Sequence, residues 1–303
     1  MSETPNYACV EAGGTKFVVG IVSGDHDVRE AARFPTTTPA ETLSAVTEWL
    51  IAASRRNGTV RAAGVASFGP VSLDRNAADW GHIGVTPKPG WSGADIAGPI
   101  GRALDVPVGF DTDVNGAALA ETKWGAATDQ RVAVYVTVGT GIGGGIVVEG
   151  RTLRGLTHPE MGHIRLSRHE QDLRFAGTCP FHGDCLEGLA SGPAIFARWG
   201  VPLSDLPHDH VAHVVIAHYI AQLCVNLQAM MEPGRIIVGG GVMATPLLLS
   251  RIQREAARLG GNYFKGDFSR VIVAPGLGDR SGLLGALALA VDAPQGQDLG
   301  SGP

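Results

Sequence analysis

"YACVEAGGTKFVVGIV", residues 7–22, reads as an apolar run, a Gly-Gly turn and a second apolar run. Two short apolar segments flanking such a turn predict a β-hairpin. The same form returns about 125 residues later as "VAVYVTVGTGIGGGIVVEG", residues 132–150. A chain that builds one hairpin twice is expected to be duplicated, with one hairpin in each half. Between them, "TLSAVTEWLIAAS" predicts a helix near 41–55, and a strand follows at 62–67. "VPVGFDTDVNGAALAETKWGAA" (106–127) predicts a short strand running into a helix that starts near Asp113. Downstream, helical spacing covers 185–199 and 210–231, "RIIVGGGV" (235–242) is a strand meeting a glycine turn, and "SGLLGALALAVD" (281–292) is a closing helix. Strands interleaved with helices define an α/β protein. The tail "APQGQDLGSGP" (293–303) has nothing apolar to bury and is expected to be disordered.

Glycine carries the first functional signal. Forty-three of 303 residues are glycine, about twice ordinary usage, and they cluster at turns rather than in any period. Gly139, Gly141 and Gly144 satisfy G-x-G-x-x-G, but a dinucleotide fingerprint needs a helix next and here the β-branched run "IVV" follows. No G-x-x-x-x-G-K-[ST] occurs, so the chain has no P-loop. A glycine hairpin turn can still cradle phosphate, because its backbone N–H groups converge where no Cβ blocks an anion. Thr15 and Thr140 add hydroxyls at matching places in the two turns, and "VGGGV" adds a third glycine turn.

A net charge of −5 without a basic run argues against a nucleic-acid surface. No run of 18 apolar residues is present, and "MSETPNYA" lacks the basic and apolar regions of a signal peptide, so a cytoplasmic protein with a small-molecule partner is expected. Cys9 and Cys224 sit in apolar surroundings and read as buried thiols. The other two cysteines lie in "CPFHGDC", residues 179–185. Cys179, His182 and Cys185 are three zinc-type donors within seven residues, and His163 upstream completes a tetrahedral Cys₂His₂ set, with His158 and His169 as rival fourth ligands. A site with four protein ligands is closed, so it should organise structure rather than activate water. Coordination would also order residues 151–183, which have little periodicity of their own. His208, His210 and His213 read as a solvated helix start.

The carboxylates leave alternatives. Asp113, between strand and helix, is either an N-cap or a general base facing the crevice at a strand's C-terminal end, where the helix N-terminus would hold it ionised. Asp184 and Glu187 have capping-box spacing, while Glu160 and His163 in "HPEMGH" stand in a stretch too irregular for core packing, as ligand-binding polar groups often do. Glu11 is either a second-shell magnesium ligand or a solvated strand end.

From about residue 8 to 290 the chain resembles the ROK family, which groups sugar kinases with related repressors. "EAGGTK" (11–16), "GTGIGGGI" (139–146), "EMGH" (160–163) and a Cys/His cluster ending in "CLEG" carry the resemblance. It implies an actin-like ATPase fold, two ribonuclease-H-like lobes around a nucleotide and sugar cleft. It implies Gly13, Gly14, Thr15 and Lys16 as the first phosphate loop and Gly139, Thr140 and Gly141 as the second. Pro193 and the "GGGVM" stretch (Gly239, Gly240, Gly241) are then nucleotide contacts. The resemblance implies that Asp113 is the catalytic base and that Glu160, His163 and Glu187 hydrogen-bond the sugar, His163 doubling as a zinc ligand. "SFGP" (67–70) matches a sugar-side loop that includes Gly69 and Pro70. Thr112 stands where most members have Asn, Glu11 replaces Asp, and a Cys-His-Cys cluster replaces three cysteines. With "TPKPGW" (86–91) these variants resemble the fructokinase branch.

The expected reaction is therefore transfer of the ATP γ-phosphoryl group to the 6-hydroxyl of fructose, with ATP, Mg²⁺ and Zn²⁺ as cofactors and a homodimer as the assembly. Glucose, mannose or an N-acetylhexosamine are the rival acceptors. A sugar-binding regulator is the rival from another class, although the first phosphate loop begins too early for a DNA-binding segment before it, and a zinc hydrolase would need an open ligand position. The expected division places residues 1–113 and the helix near 281–292 in the N-terminal lobe, and 114–280 in the C-terminal lobe.

Overall fold

The structure, a computed structural model, describes residues 4–293; the tail expected to be disordered lies, from residue 294 on, outside the described residues. Chain contacts form two units, one of residues 4–123, 154–158 and 279–293, the other of Trp124–Leu153 and Pro159–Gly278.

In the first unit, β1 (Asn6–Ala12) and β2 (Lys16–Ser23) form the hairpin around the first glycine turn, and β3 (Val28–Pro35) extends it antiparallel. Helix α1 (Pro39–Asn57) follows; its N-cap Thr38 accepts from the Glu41 N–H at 3.3 Å, and Pro39 lends its fixed φ to the first turn. β4 (Val60–Ser67), α2 (Ala97–Leu104) and β5 (Val108–Thr112) lead into α3 (Asp113–Trp124). The sheet order is β3-β2-β1-β4-β5, with β1, β4 and β5 parallel.

The second unit repeats it. β6 (Val132–Val138) and β7 (Ile142–Val148) form the second hairpin, and β8 (Arg151–Thr152) extends it antiparallel. After α4 (Leu186–Ala190), α5 (Gly192–Trp199) and α6 (Val211–Met231), β9 (Arg235–Gly239) pairs parallel with β6. Helices α7 (Leu248–Gly260) and α8 (Phe268–Val271) precede β10 (Ile272–Val273), parallel to β9. The order β10-β9-β6-β7-β8 is the first sheet's order and sense read from the other edge, so the duplication expected from the two hairpins extends to whole sheets.

Helix α9 (Ser281–Val291) returns to the first unit and lies on β1, β4 and β5. It can lie that close because Gly64 and Gly109 present no side chain: a Cβ at either would overlap the carbonyl oxygen of Ala286 or Leu289. Ala63 and Val65 point the other way, into the core built with α1 and α2, as strand alternation requires. Helix α3, through Lys123, groups with the first unit, where it packs on α9. Gly116 meets Gly285 backbone to backbone, and Ser281 Oγ donates to Glu121 at 2.9 Å.

Helix α6 is long and apolar enough to cross a membrane by length and composition, but Ile216, Tyr219, Ile220 and Leu223 are buried in the second unit's core. Cys9 and Cys224 are likewise fully buried. The helical run expected over 185–199 is two helices, because Ser191 leaves helical geometry and caps α5 with its hydroxyl. His213 differs from expectation: it is 1% exposed rather than solvated, while His210 caps α6.

Candidate active site

The second unit assembles three pieces of glycine backbone. In the turn between β6 and β7, the Gly139 N–H donates to the Gly141 carbonyl at 2.9 Å, and the Gly139 carbonyl accepts from the Gly192 N–H at 2.7 Å, where α5 begins. Pro193 therefore sits in the first turn of a helix docked on the second glycine turn. Gly240 has φ +93°, and a Cβ there would lie 2.5 Å from the Val138 carbonyl oxygen and 2.6 Å from its nitrogen. Only glycine lets the Gly239–Gly241 turn press against the end of β6. Thr140 and Gly241 remain exposed. An anion can thus approach backbone N–H groups with no Cβ in the way.

The segment 159–188 is held against that turn. Glu187 Oε2 accepts from the Ile142 N–H at 2.9 Å, and a Cβ on Gly141 would come 2.8 Å from the same oxygen. The capping box read from Asp184 and Glu187 does not form, because each carboxylate has a stronger partner elsewhere. Asp184 pairs with Arg165 and Arg168, and the N-cap position of α4 is held by Cys185, which makes no side-chain cap bond. Behind it, Asp172 is buried, 3.1 Å from Arg198 Nε, and accepts the Tyr219 hydroxyl at 2.7 Å. Burial pulls the Arg198 guanidinium below its usual range, opposed by Asp172, and burial pushes Tyr219 up to about 12. Sequence reasoning missed this network. Its signal was an acid, Asp172, two residues after Glu170 in an otherwise unpatterned stretch.

His163, Cys179, His182 and Cys185 converge, their ligand atoms all within 4.8 Å of one another. Both histidines present Nδ1, 3.3 Å apart; Cys179 Sγ is 3.7 Å from each, and Cys185 Sγ is 3.5 Å from His163. A tetrahedral zinc with bonds of about 2.3 Å to sulfur and about 2.0–2.1 Å to nitrogen needs S···N edges near ~3.6 Å and an N···N edge near ~3.3 Å. The donor set fits in identity and spacing. Burial raises the Cys185 thiol, so a bound metal would displace its proton. The rival ligands lie elsewhere: His158 Nε2 accepts from the Val71 N–H at 3.3 Å in the first unit, and His169 caps a short 3₁₀ turn (Glu170–Asp172). Met161–His163 forms another 3₁₀ turn, beginning at the exposed Glu160.

In the first unit, the Gly13 N–H closes the turn on the Lys16 carbonyl at 3.0 Å, with Gly14 open and Thr15 and Lys16 exposed. Burial pushes the Glu11 carboxyl up, opposed by Lys16 and Arg33. Asp113 opens α3 but does not cap it: Thr112 Oγ1 accepts from the Asn115 N–H at 3.1 Å, while Asp113 Oδ1 accepts from the Val114 N–H at 2.8 Å. Capping is met by Thr112, which is only 3% exposed. Asp111, unremarked in the sequence, is fully buried; it accepts from Arg154 at 2.9 Å and from Asn115 Nδ2 at 2.7 Å. An acid inside the apolar strand "VGFDT" was the available signal. The Gly69–Pro70 bond is cis, and the His158 ring packs against Gly69.

The family model described as "ROK family" matches residues 7–293. The chain belongs to the ROK family. The fructokinase of Zymomonas mobilis is 47% identical over 291 residues, 95% of this chain and 97% of its own. Among solved structures, the ROK hexokinase from Thermus thermophilus superposes with a TM-score of 0.76 at 27% identity, covering 94% of this chain and 98% of that one. The ROK family glucokinase from Streptomyces griseus, in complex with glucose and AMPPNP, gives 0.75 at 25% identity over 95% and 100%. With the two repeated sheets, these likenesses establish the actin-like ATPase fold.

Proposed function

We propose that this ROK protein transfers the γ-phosphoryl group of ATP to the 6-hydroxyl of fructose, giving fructose 6-phosphate. The near full-length likeness to a fructokinase supports the acceptor. The observation that carries the phosphoryl chemistry is the docking of the Gly139–Gly141 turn against the start of α5 and the Gly239–Gly241 turn. Phosphoryl transfer asks mainly for positioning and charge neutralisation, which such backbone supplies.

Asp113 is the general base: it accepts the hydroxyl proton as the oxygen attacks phosphorus. Glu160, His163 and Glu187, with Thr112, Gly69 and Pro70, hold the sugar. Gly13, Gly14, Thr15 and Lys16 form the first phosphate loop, and Gly139, Thr140, Gly141, Pro193, Gly239, Gly240 and Gly241 bind the nucleotide. Mg²⁺, when bound with ATP, neutralises the phosphate charge. Zn²⁺ held by His163, Cys179, His182 and Cys185 is structural, since four protein ligands leave no place for a reactive water. The resemblance further supports a cytoplasmic homodimer acting on small molecules.

An ADP-release assay across fructose, glucose, mannose and N-acetylhexosamines tests the reading. Fructose should be the best acceptor. Asp113→Asn should keep the fructose KM within a few-fold and lose turnover by about 10²-fold or more. Full turnover in that variant would remove Asp113 from its role, and activity on no hexose would favour a sugar-binding regulator.

A further inference from the structure

No residue of the stretch Thr86–Trp91, "TPKPGW", is among the site residues assigned above, yet the stretch is tied to both functional loops of the first unit. Trp91 is fully buried. Its ring lies 5.6 Å from Phe17, the residue that pairs with Ala12 across the first glycine turn, and 5.5 Å from Phe68 of the Ser67–Pro70 loop. Its Nε1 donates to the Thr37 carbonyl at 2.8 Å, and Lys88 Nζ donates to the neighbouring Thr36 carbonyl at 3.2 Å. Thr36 in turn grips the glycine turn at two points: its N–H donates to the Thr15 carbonyl at 3.0 Å and its Oγ1 to the Gly13 carbonyl at 2.7 Å.

Two details give this chain of bonds a purpose. Lys88 meets no carboxylate among the described residues, so its ammonium is used on backbone that leads to the turn. Thr36 is 8% exposed, so its hydroxyl bond is shielded from competing water. A Gly-Gly turn has the largest conformational freedom the backbone allows, and transfer requires its N–H groups to be fixed beforehand.

We propose that Thr36 and Lys88 are positioning residues that lock the first phosphate turn in its transfer-competent shape, with Trp91 wedging that turn to the Ser67–Pro70 loop. The inference rests on the phosphotransferase reading above. Thr36→Val keeps the backbone N–H and nearly the volume but removes the hydroxyl; Thr36→Ser restores it; Lys88→Met keeps the stem without the ammonium. Misplacing a reacting group by about 1 Å can cost about 10²-fold in rate. Thr36→Val should therefore lower kcat roughly 10- to 100-fold, Thr36→Ser should recover to within about 3-fold, and Lys88→Met should lose roughly 10-fold. The fructose KM should stay within about 3-fold throughout, a split that general destabilisation would not produce.

Wild-type kcat in Thr36→Val, no recovery in Thr36→Ser, or a Lys88→Met effect confined to the melting temperature or to the fructose KM would each overturn the latch. A wild-type protein that phosphorylates no hexose would instead overturn the functional reading, and the latch with it.

Discussion

Removing one proposed zinc ligand tests the candidate site most directly, and His182 is the residue to change. It is exposed, whereas Cys179 and Cys185 are buried, so His182→Ala opens no core cavity. The consequence runs along the chain. Cys185 is two residues before Glu187, whose carboxylate holds the Ile142 N–H at 2.9 Å beside Gly141. If metal loss frees this segment, the second glycine turn loses a charge-assisted hydrogen bond of about 1.5–3 kcal/mol. That converts to about 10- to 150-fold in kcat/KM. The assay is ADP release in ATP and fructose series, with zinc counted by mass spectrometry on the same samples. His182→Ala should hold well under one zinc per chain and show that loss. His182→Cys, which supplies another zinc ligand, should retain both metal and most activity. Unchanged kcat/KM in zinc-free His182→Ala would refute the coupling, and a wild-type protein purified without zinc yet fully active would refute the site.

Other consequences follow from single contacts. Asp172→Ala leaves Arg198 buried without its carboxylate, and should cost about 3–5 kcal/mol in urea unfolding; a change below about 1 kcal/mol would show the pair to be dispensable. Gly240→Ala sets a Cβ against the Val138 backbone at a φ of +93°. It should cost about 2–5 kcal/mol and raise the ATP KM, and a normal melting temperature would mean the turn is not pressed on β6. Glu255, hydrogen-bonded by Arg258 and by His218 from α6, is held down at about 2. A carboxyl depressed in the folded state adds stability that is present above its unfolded value of about 4.3 and lost as pH falls toward 2. The melting-temperature gap between wild type and Glu255→Gln should therefore be open at pH 5 and shrink as the pH approaches 2; a constant gap would exclude the linkage.

Much of the fold was legible because hairpins and helices are short-range objects. Each glycine turn lies between the apolar runs it joins, so residues 7–22 and 132–150 declared their hairpins without help from distant chain. The Cys/His cluster was legible for the same reason: Cys179, His182 and Cys185 are neighbours in sequence, and only His163 had to be chosen from several histidines. Roles decided by distant partners were not legible. The spacing of Asp184 and Glu187 fits a capping box, but Arg165, Arg168 and the Ile142 N–H compete for those carboxylates and win. The N-cap role that local pattern offered Asp113 is filled by Thr112, because its hydroxyl reaches the Asn115 N–H.

The sequence by itself therefore determined the duplicated α/β plan, the glycine turns and most of the Cys/His cluster, since each is written in residues a few positions apart. Tertiary structure alone decided that α3 belongs with α9, that Asp111 takes Arg154, and that Thr36 and Lys88 reach the first turn. Those polar pairings join residues 23 to 160 positions apart, and which polar group meets which at such distances is fixed by how the sheets and helices pack, not by any local preference.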